Sequence, residues 1–276
     1  MPIVTLTTDF GDKDYFAAVA KAELLSEDSG IQVVDISHKV SPYNLTEAAY
    51  ILKNAYHAFP KGSIHIIGVD SELTPENKHI AMALDGHFFI GSNNGILSMV
   101  QPEMKADKIV EINIHQQLNS SFPVLDIFVK VAGHLARQGT LEVIGKPKDE
   151  IRQLTNINPV VSPNGKQMVG SVIYIDNYGN VVTNITQKMF QQVGKTRPFT
   201  IYARTVKFRD VYRSYSEAIN FSVPKERREE EGKKLALFND AGHLELAIYK
   251  SNPQTVGGAS SLFGLGYRDS VTVEFE

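Results

Sequence analysis

Apolar positions along the first half of the chain alternate between two periods. Short apolar runs at residues 2–8, 31–36 and 64–69 read as strands, the first of them buried. Between them lie stretches with helical spacing. Residues 15–25 form the first. The second follows Asn44-Leu45-Thr46-Glu47, an N-cap with a capping-box acid, and places Ala48, Ile51, Leu52, Ala55 and Phe59 on one face. Residues 79–84 and 87–91 flank Asp85-Gly86, a strong hairpin signal. Residues 127–137 read as a helix closed by Gly139. The pattern predicts an α/β N-terminal domain with a mainly parallel sheet, modified by that hairpin.

The pattern changes after Gly145. Residues 146–165 are polar, contain Pro147, Pro159 and Pro163, and read as a linker. Strand signals dominate beyond it, at 167–175, 199–203, 234–238, 244–249 and 270–275. They predict a smaller all-β, barrel-like C-terminal domain. The expected organisation is 1–145 α/β, 146–165 linker and 166–276 β. The mixed-sign run 225–231 reads as a solvated loop.

Composition narrows the function classes. The 276 residues include no cysteine, which excludes disulfides and thiolate metal sites and fits a cytoplasmic protein. No apolar run approaches the ~20 residues of a membrane helix. The N-terminus has neither the basic nor the apolar region of a signal peptide. A net charge of -3 gives no electrostatic reason to expect nucleic acid or an anionic membrane as partner.

Chemistry concentrates at a few turns. The first strand runs into Asp9-Phe10-Gly11-Asp12-Lys13-Asp14, where many α/β proteins carry a glycine-rich phosphate loop. Carboxylates there would repel phosphate. They would accept bonds from sugar hydroxyls and attract an ammonium or sulfonium. Asp14 also fits a helix N-cap before Tyr15. The segment from Asp176 to Asn184 packs an acid, an aromatic and amides around a glycine. It reads either as an Asn-Gly β-turn or as a base-binding turn, with Tyr178 for stacking and Asn180 for a base edge. Gly68-Val69-Asp70-Ser71-Glu72 stands at a strand end, where open α/β sheets bind ligands. Ser92-Asn93-Asn94-Gly95 reads as a tight turn. Tyr43 precedes the second helix.

Six pieces carry a resemblance over nearly the whole chain: TTDFGDKDYFAAVAK, VVDISHKVSPYNLTEAAYIL, FPKGSIHIIGVD, GSNNGIL, VAGHLA and VIYIDNYGNVVTNI. In this order they resemble the S-adenosyl-L-methionine (SAM) hydroxide adenosyltransferase family, related to the SAM-dependent fluorinases and chlorinases. The resemblance implies a homotrimer with SAM bound between subunits. It implies Asp9 on the ribose hydroxyls, Asp14 and Asp176 at the methionine end, Tyr43 as an aromatic wall, Tyr178 on adenine and Asn180 on its edge. The implied reaction is displacement at the ribose 5′ carbon by water, giving adenosine and methionine. SAM is then substrate or ligand, and no cofactor or metal is expected.

The chain departs from the family's Asp-Arg-His set. Asp70 is present, but Asn77 holds the Arg position and Pro123 the His position. Pro123 has no ionisable group and Asn77 no fixed charge, so only Asp70 is left to orient water. His79, His134 and His115 earn no catalytic role from their positions. Fluorinase-like enzymes carry Tyr-Ser where this chain has Pro123-Val124, and an aromatic in place of Asp70, so retained Asp70 points to the hydroxide side. Two readings follow: a SAM hydrolase with an altered polar set, or a SAM- or adenosine-binding sensor without turnover. A calcium-dependent nucleoside hydrolase fits less well, because Thr7 and Lys13 replace two acids of its motif.

Overall fold

A computed structural model of the chain describes residues 1–114, 122–154, 158–228, 230 and 232–276. It divides into two compact units, Met1–Thr155 and Asn156–Glu276. The first contains β1 (Ile3–Thr8), α1 (Phe16–Glu27), β2 (Gln32–Ser37), α2 (Leu45–Tyr56), β3 (Ile64–Gly68), β4 (His79–Leu84), β5 (His87–Ser92), α3 (Ile96–Val100), β6 (Lys108–Ile112), α4 (Val129–Ala136), α5 (Leu141–Ile144) and β7 (Gly145–Pro147). Its seven strands form one mixed sheet in the order β2-β1-β3-β5-β4-β6-β7. The first four run parallel and the rest are added antiparallel.

Apolar runs without alternation occur because both faces of this sheet are covered. Successive side chains point to opposite faces. Ile66 packs with Val4, Leu6, Leu24 and Phe128 on one side. Its neighbour Ile67 packs with Leu52, Tyr56 and Phe89 on the other. The parallel strands β1, β3 and β5 end at the same edge, with Thr8 paired to Gly68, so the loops after them gather there.

The cap of α2 forms as its sequence predicts. The Asn44 side chain accepts from the Glu47 N–H at 3.1 Å, a contact worth about 1 kcal/mol. The Glu47 carboxylate reaches one turn further back than a capping box, to the Ser41 N–H at 3.1 Å. Two expected helix ends differ. Asp14 does not cap α1: the helix begins at Phe16, its N-cap is Tyr15, and no side chain caps it. Asp14 lies one residue too early for its carboxylate to serve the first-turn N–H groups. At the other end of the unit, Gln138 rather than Gly139 takes the left-handed position after α4 (φ 62°). Gly139 is small for another reason, since a Cβ there would stand 2.2 Å from the His134 ring.

The second unit contains β8 (Val160–Val161), β9 (Gln167–Ile175), β10 (Val181–Thr186), α6 (Gln187–Gly194), β11 (Phe199–Ala203), β12 (Val206–Phe208), β13 (Lys234–Phe238), β14 (His243–Ile248), α7 (Ala259–Phe263) and β15 (Ser270–Phe275). The strands pair antiparallel in the order β12-β11-β15-β9-β10-β14-β13, with β8 on β9. Beyond β12, Tyr212 bridges Leu237 of β13, and its N–H bonds the Ala236 carbonyl at 2.8 Å. That bridge joins the two ends of the sheet into a nearly closed barrel around Val181, Ile201, Leu246 and Val273. The expected linker is shortened at both ends. Lys146 and Pro147 pair with β6, and Val160 and Val161 pair with β9. Pro147 is tolerated because β7 is an edge strand.

Candidate functional site

The first candidate turn follows β1 and is held by the segment after β2. Gly11 N–H bonds the His38 carbonyl at 2.7 Å, and Thr8 Oγ1 meets His38 Nδ1 at 2.7 Å. His38 Nε2 stands 3.0 Å from Asp35, which also pairs with Lys21 at 2.6 Å. Asp9 Oδ2 accepts the Tyr43 N–H at 3.0 Å. Tyr43 has a left-handed backbone (φ 61°), and the residue is 74 % exposed. Burial raises the Asp9 carboxyl above its ordinary range, and the charge of Asp70 adds to the rise. The Tyr43 N–H opposes both. Asp12 pairs with Lys39 at 2.8 Å, and Asp14 is exposed.

The second candidate, Asp70, lies just past β3 with φ 47°. Side chains bond the main-chain carbonyls around it one after another. Asn94 Nδ2 donates to the Val69 and Asp70 carbonyls at 3.0 and 3.3 Å. Asn77 Nδ2 donates to the Asp70 carbonyl at 3.1 Å and to that of Glu72 at 3.5 Å. His79 Nε2 meets the Ser71 carbonyl at 2.9 Å, with its ring edge-on to Phe128. Asn77 therefore acts on the backbone of the Asp70 loop. His79 is occupied as an anchor of the same loop. The sequence marked Asn94 only as part of a turn; its amide function emerges because β5 is the neighbour of β3.

Pro123 opens a π-helical turn, Val124–Phe128, that leads into α4. Val124 lies against the β3 end: a Cβ on Gly68 would stand 3.1 Å from Val124 Cγ2 and 2.9 Å from Phe10 Cζ. Phe122 packs on Phe10 and Phe16 with ring centroids 4.8 and 5.0 Å away. The segment at the family's His position thus contributes an apolar wall beside the Asp9 and Asp70 strand ends. His134 Nε2 meets the Thr140 carbonyl at 3.0 Å, a local packing role. His115 and Ser121 lie outside the described residues.

The remaining candidates are in the second unit, on the turn between β9 and β10. The Asp176 carboxylate accepts from the N–H groups of Tyr178 and Asn180 at 2.9 and 2.8 Å, and from Asn180 Nδ2 at 2.9 Å. These bonds make a self-bracing turn, as an Asn-Gly-rich segment predicts. They also orient its side chains: Asn180 is buried, whereas Tyr178 stands 64 % exposed. Gly179 has φ 73° and approaches Gly258 so closely that a Cβ would lie 2.9 Å from its Cα. Sequence reading missed the buried Glu245 carboxyl near this turn and its partners. Tyr215 Oη donates to Glu245 Oε1 at 2.5 Å, and Asn239 Nδ2 to Oε2 at 3.2 Å. Burial raises both the Glu245 carboxyl and the Tyr215 hydroxyl, and the charge of Asp176 raises each further. An open cleft of about 750 Å³ around Arg213, Glu217, Asn220 and Phe221 holds none of the expected residues.

Both units match a known family. Residues 4–145 match the SAM hydroxide adenosyltransferase N-terminal domain, and residues 170–272 match its C-terminal domain. The chain belongs to the SAM hydroxide adenosyltransferase family. It is 25 % identical to the (R)-S-adenosyl-L-methionine hydrolase of Methanocaldococcus jannaschii, over 99 % of this chain and 96 % of that protein. The hydrolase of the same name from Thermus thermophilus is 26 % identical over 92 % of this chain and 95 % of its own. A fluorinase of Actinopolyspora mzabensis is 23 % identical over 70 % of this chain and 74 % of its own. Among solved structures, a conserved protein of Thermotoga maritima superposes with a TM-score of 0.82 at 27 % identity, covering 98 % of this chain and 99 % of that one.

Proposed function

We propose that this protein hydrolyses SAM to adenosine and L-methionine. The supporting observation is the pair of carboxylates at adjacent parallel strand ends. Asp9 and Asp70 follow β1 and β3, near enough for the charge of one to raise the other's pKa. Two acids at that edge favour a ligand that brings hydroxyls and positive charge and no phosphate.

In this reading Asp9 accepts the ribose hydroxyls. Asp14 and Asp176 attract the ammonium of the methionine end. The exposed rings of Tyr43 and Tyr178 offer a wall and a stacking face, and Asn180 reads the adenine edge. Water held by Asp70 attacks C5′ in line. The C5′–O bond forms as the C5′–S bond breaks, and the electron pair leaves on sulfur as a neutral thioether. The excess proton of the attacking water passes to Asp70 or to solvent. The substrate carries its own leaving-group charge, so alignment and exclusion of bulk water supply the main acceleration. The wall of Phe10, Phe16 and Phe122 serves the second purpose. Assembly as a homotrimer and a cytoplasmic location belong to the same proposal; sedimentation velocity checks the first.

Incubation with SAM, followed by chromatography, tests the reaction. The wild-type chain should release adenosine and methionine in equal amounts, and Asp70→Asn should abolish most of that release. Tight binding of SAM with no adenosine above the buffer rate would reject the hydrolase and leave a binding protein. The observation favouring that second reading is local: Asn77 is spent on main-chain carbonyls, and Pro123 carries no proton to exchange.

A further inference from the structure

We propose that Asn77 and Asn94 are positioning residues: together they clamp the Asp70 carbonyl and thereby set where the Asp70 carboxylate stands. The inference rests on the reading of Asp70 as the group that orients water. Asp70 has φ 47°, a backbone region that residues with a Cβ rarely adopt. Asp70 lies beyond the β3 ladder, which ends at Gly68, so its carbonyl needs donors from elsewhere. Two amides supply them, from 3.1 and 3.3 Å.

The Asn94 amide is fixed in orientation by its own bonds; Asn77 is anchored through its main chain, and its buried Oδ1 has no hydrogen-bond partner among the described residues. Asn94 Oδ1 accepts the Ile96 N–H at 3.2 Å, which leaves Nδ2 facing the Val69 and Asp70 carbonyls. The Asn77 N–H bonds Thr74 Oγ1 at 2.9 Å, and its Nδ2 spans the Asp70 and Glu72 carbonyls. Asn77 is 9 % exposed and Asn94 3 %, so water does not readily replace either donor. The clamp joins the end of β3 to the residues leading into β4 and to the loop after β5. At position 77 a guanidinium would place a charge; the amide here places two N–H groups on main-chain oxygens. Control of Asp70 thus rests on backbone geometry. Without the clamp, Asp70 relaxes toward an ordinary backbone conformation and its carboxylate swings away from Asp9.

Asn77→Ala and Asn94→Ala test this by two independent readouts. In SAM hydrolysis each variant should lose kcat on the order of 10²-fold with KM little changed, the signature of a misplaced group that does not bind substrate. The double variant should lose less than the product of the single losses, because both donors act on one carbonyl. The second readout is the titration of Asp9 followed by carboxyl carbon NMR. Its pKa should fall in each variant as the Asp70 charge withdraws. Folded variants in which Asp9 titrates as in the wild type would overturn the proposal, whatever happens to turnover. If the wild-type chain releases no adenosine, the hydrolase reading fails, and the Asp9 titration alone decides the clamp. If Asn77→Ala does not fold, Asn94→Ala carries both measurements.

Discussion

Asp9 and His65 sit one strand apart and show opposite uses of burial. Burial favours the neutral form of each, so it raises the carboxyl and lowers the imidazole. Asp9 keeps an N–H donor and is only partly buried. His65 is fully enclosed: Nδ1 meets Thr5 Oγ1 at 2.7 Å, Nε2 meets His87 Nδ1 at 3.2 Å, and the ring stacks on Phe89. The groups facing the pair are Tyr56 from α2 and, beside His87, Lys61, Asp85 and His57. Burial first, and then His87, depress His65 to about 3 from 6.5. Between those values the unfolded chain binds the proton and the folded chain does not. Stability should therefore be intact above pH 6.5 and fall as pH drops toward 3, by at most about 1.4 kcal/mol per pH unit from this residue. Urea unfolding at pH 7 and pH 4.5 measures the fall, and His65→Leu should flatten it. An equal slope in that variant would assign the acid sensitivity elsewhere.

Turns were the most readable elements, because their chemistry is local. Asp85 and Gly86 both have positive φ (52° and 72°), as a two-residue hairpin demands. Asn44 caps α2 through a bond to a residue three positions on. The Asp14 cap failed because a shift of one or two residues in a helix start lies within the ordinary uncertainty of a local pattern. The Asp176 turn was readable as a turn, but its internal bonding was not. Asp176→Ala removes an acceptor of three donors and should cost about 1–3 kcal/mol of unfolding free energy. Gly179→Ala should cost about 1 kcal/mol or more, since it combines a positive φ with a Cβ 2.9 Å from the Gly258 backbone. Thermal unfolding of both variants checks the figures. An unchanged transition in either would mean that the turn adapts.

Each unit buries its own core, one on the two faces of the mixed sheet and the other inside the barrel. Residues 1–155 and 156–276, expressed separately, should each unfold cooperatively in calorimetry; a fragment without a transition would show that it depends on the rest of the chain. Strand and helix periods, the hairpin, the α2 cap and the strand-dominated, barrel-like character of the second half follow from neighbours within a few residues, so the amino-acid order alone was enough to reveal them. The same holds for the acidic turn after β1. The helices α6 and α7 of the second half were not read. The company kept by Asp70 is another matter. Residues 70, 77 and 94 meet because the sheet order runs β1-β3-β5-β4, with β5 inserted beside β3 ahead of the earlier strand β4. No local pattern encodes that order. It arises from long-range packing of both sheet faces, and it turns two asparagines, one read as a lost Arg position and the other as part of a turn, into the donors that hold the Asp70 backbone.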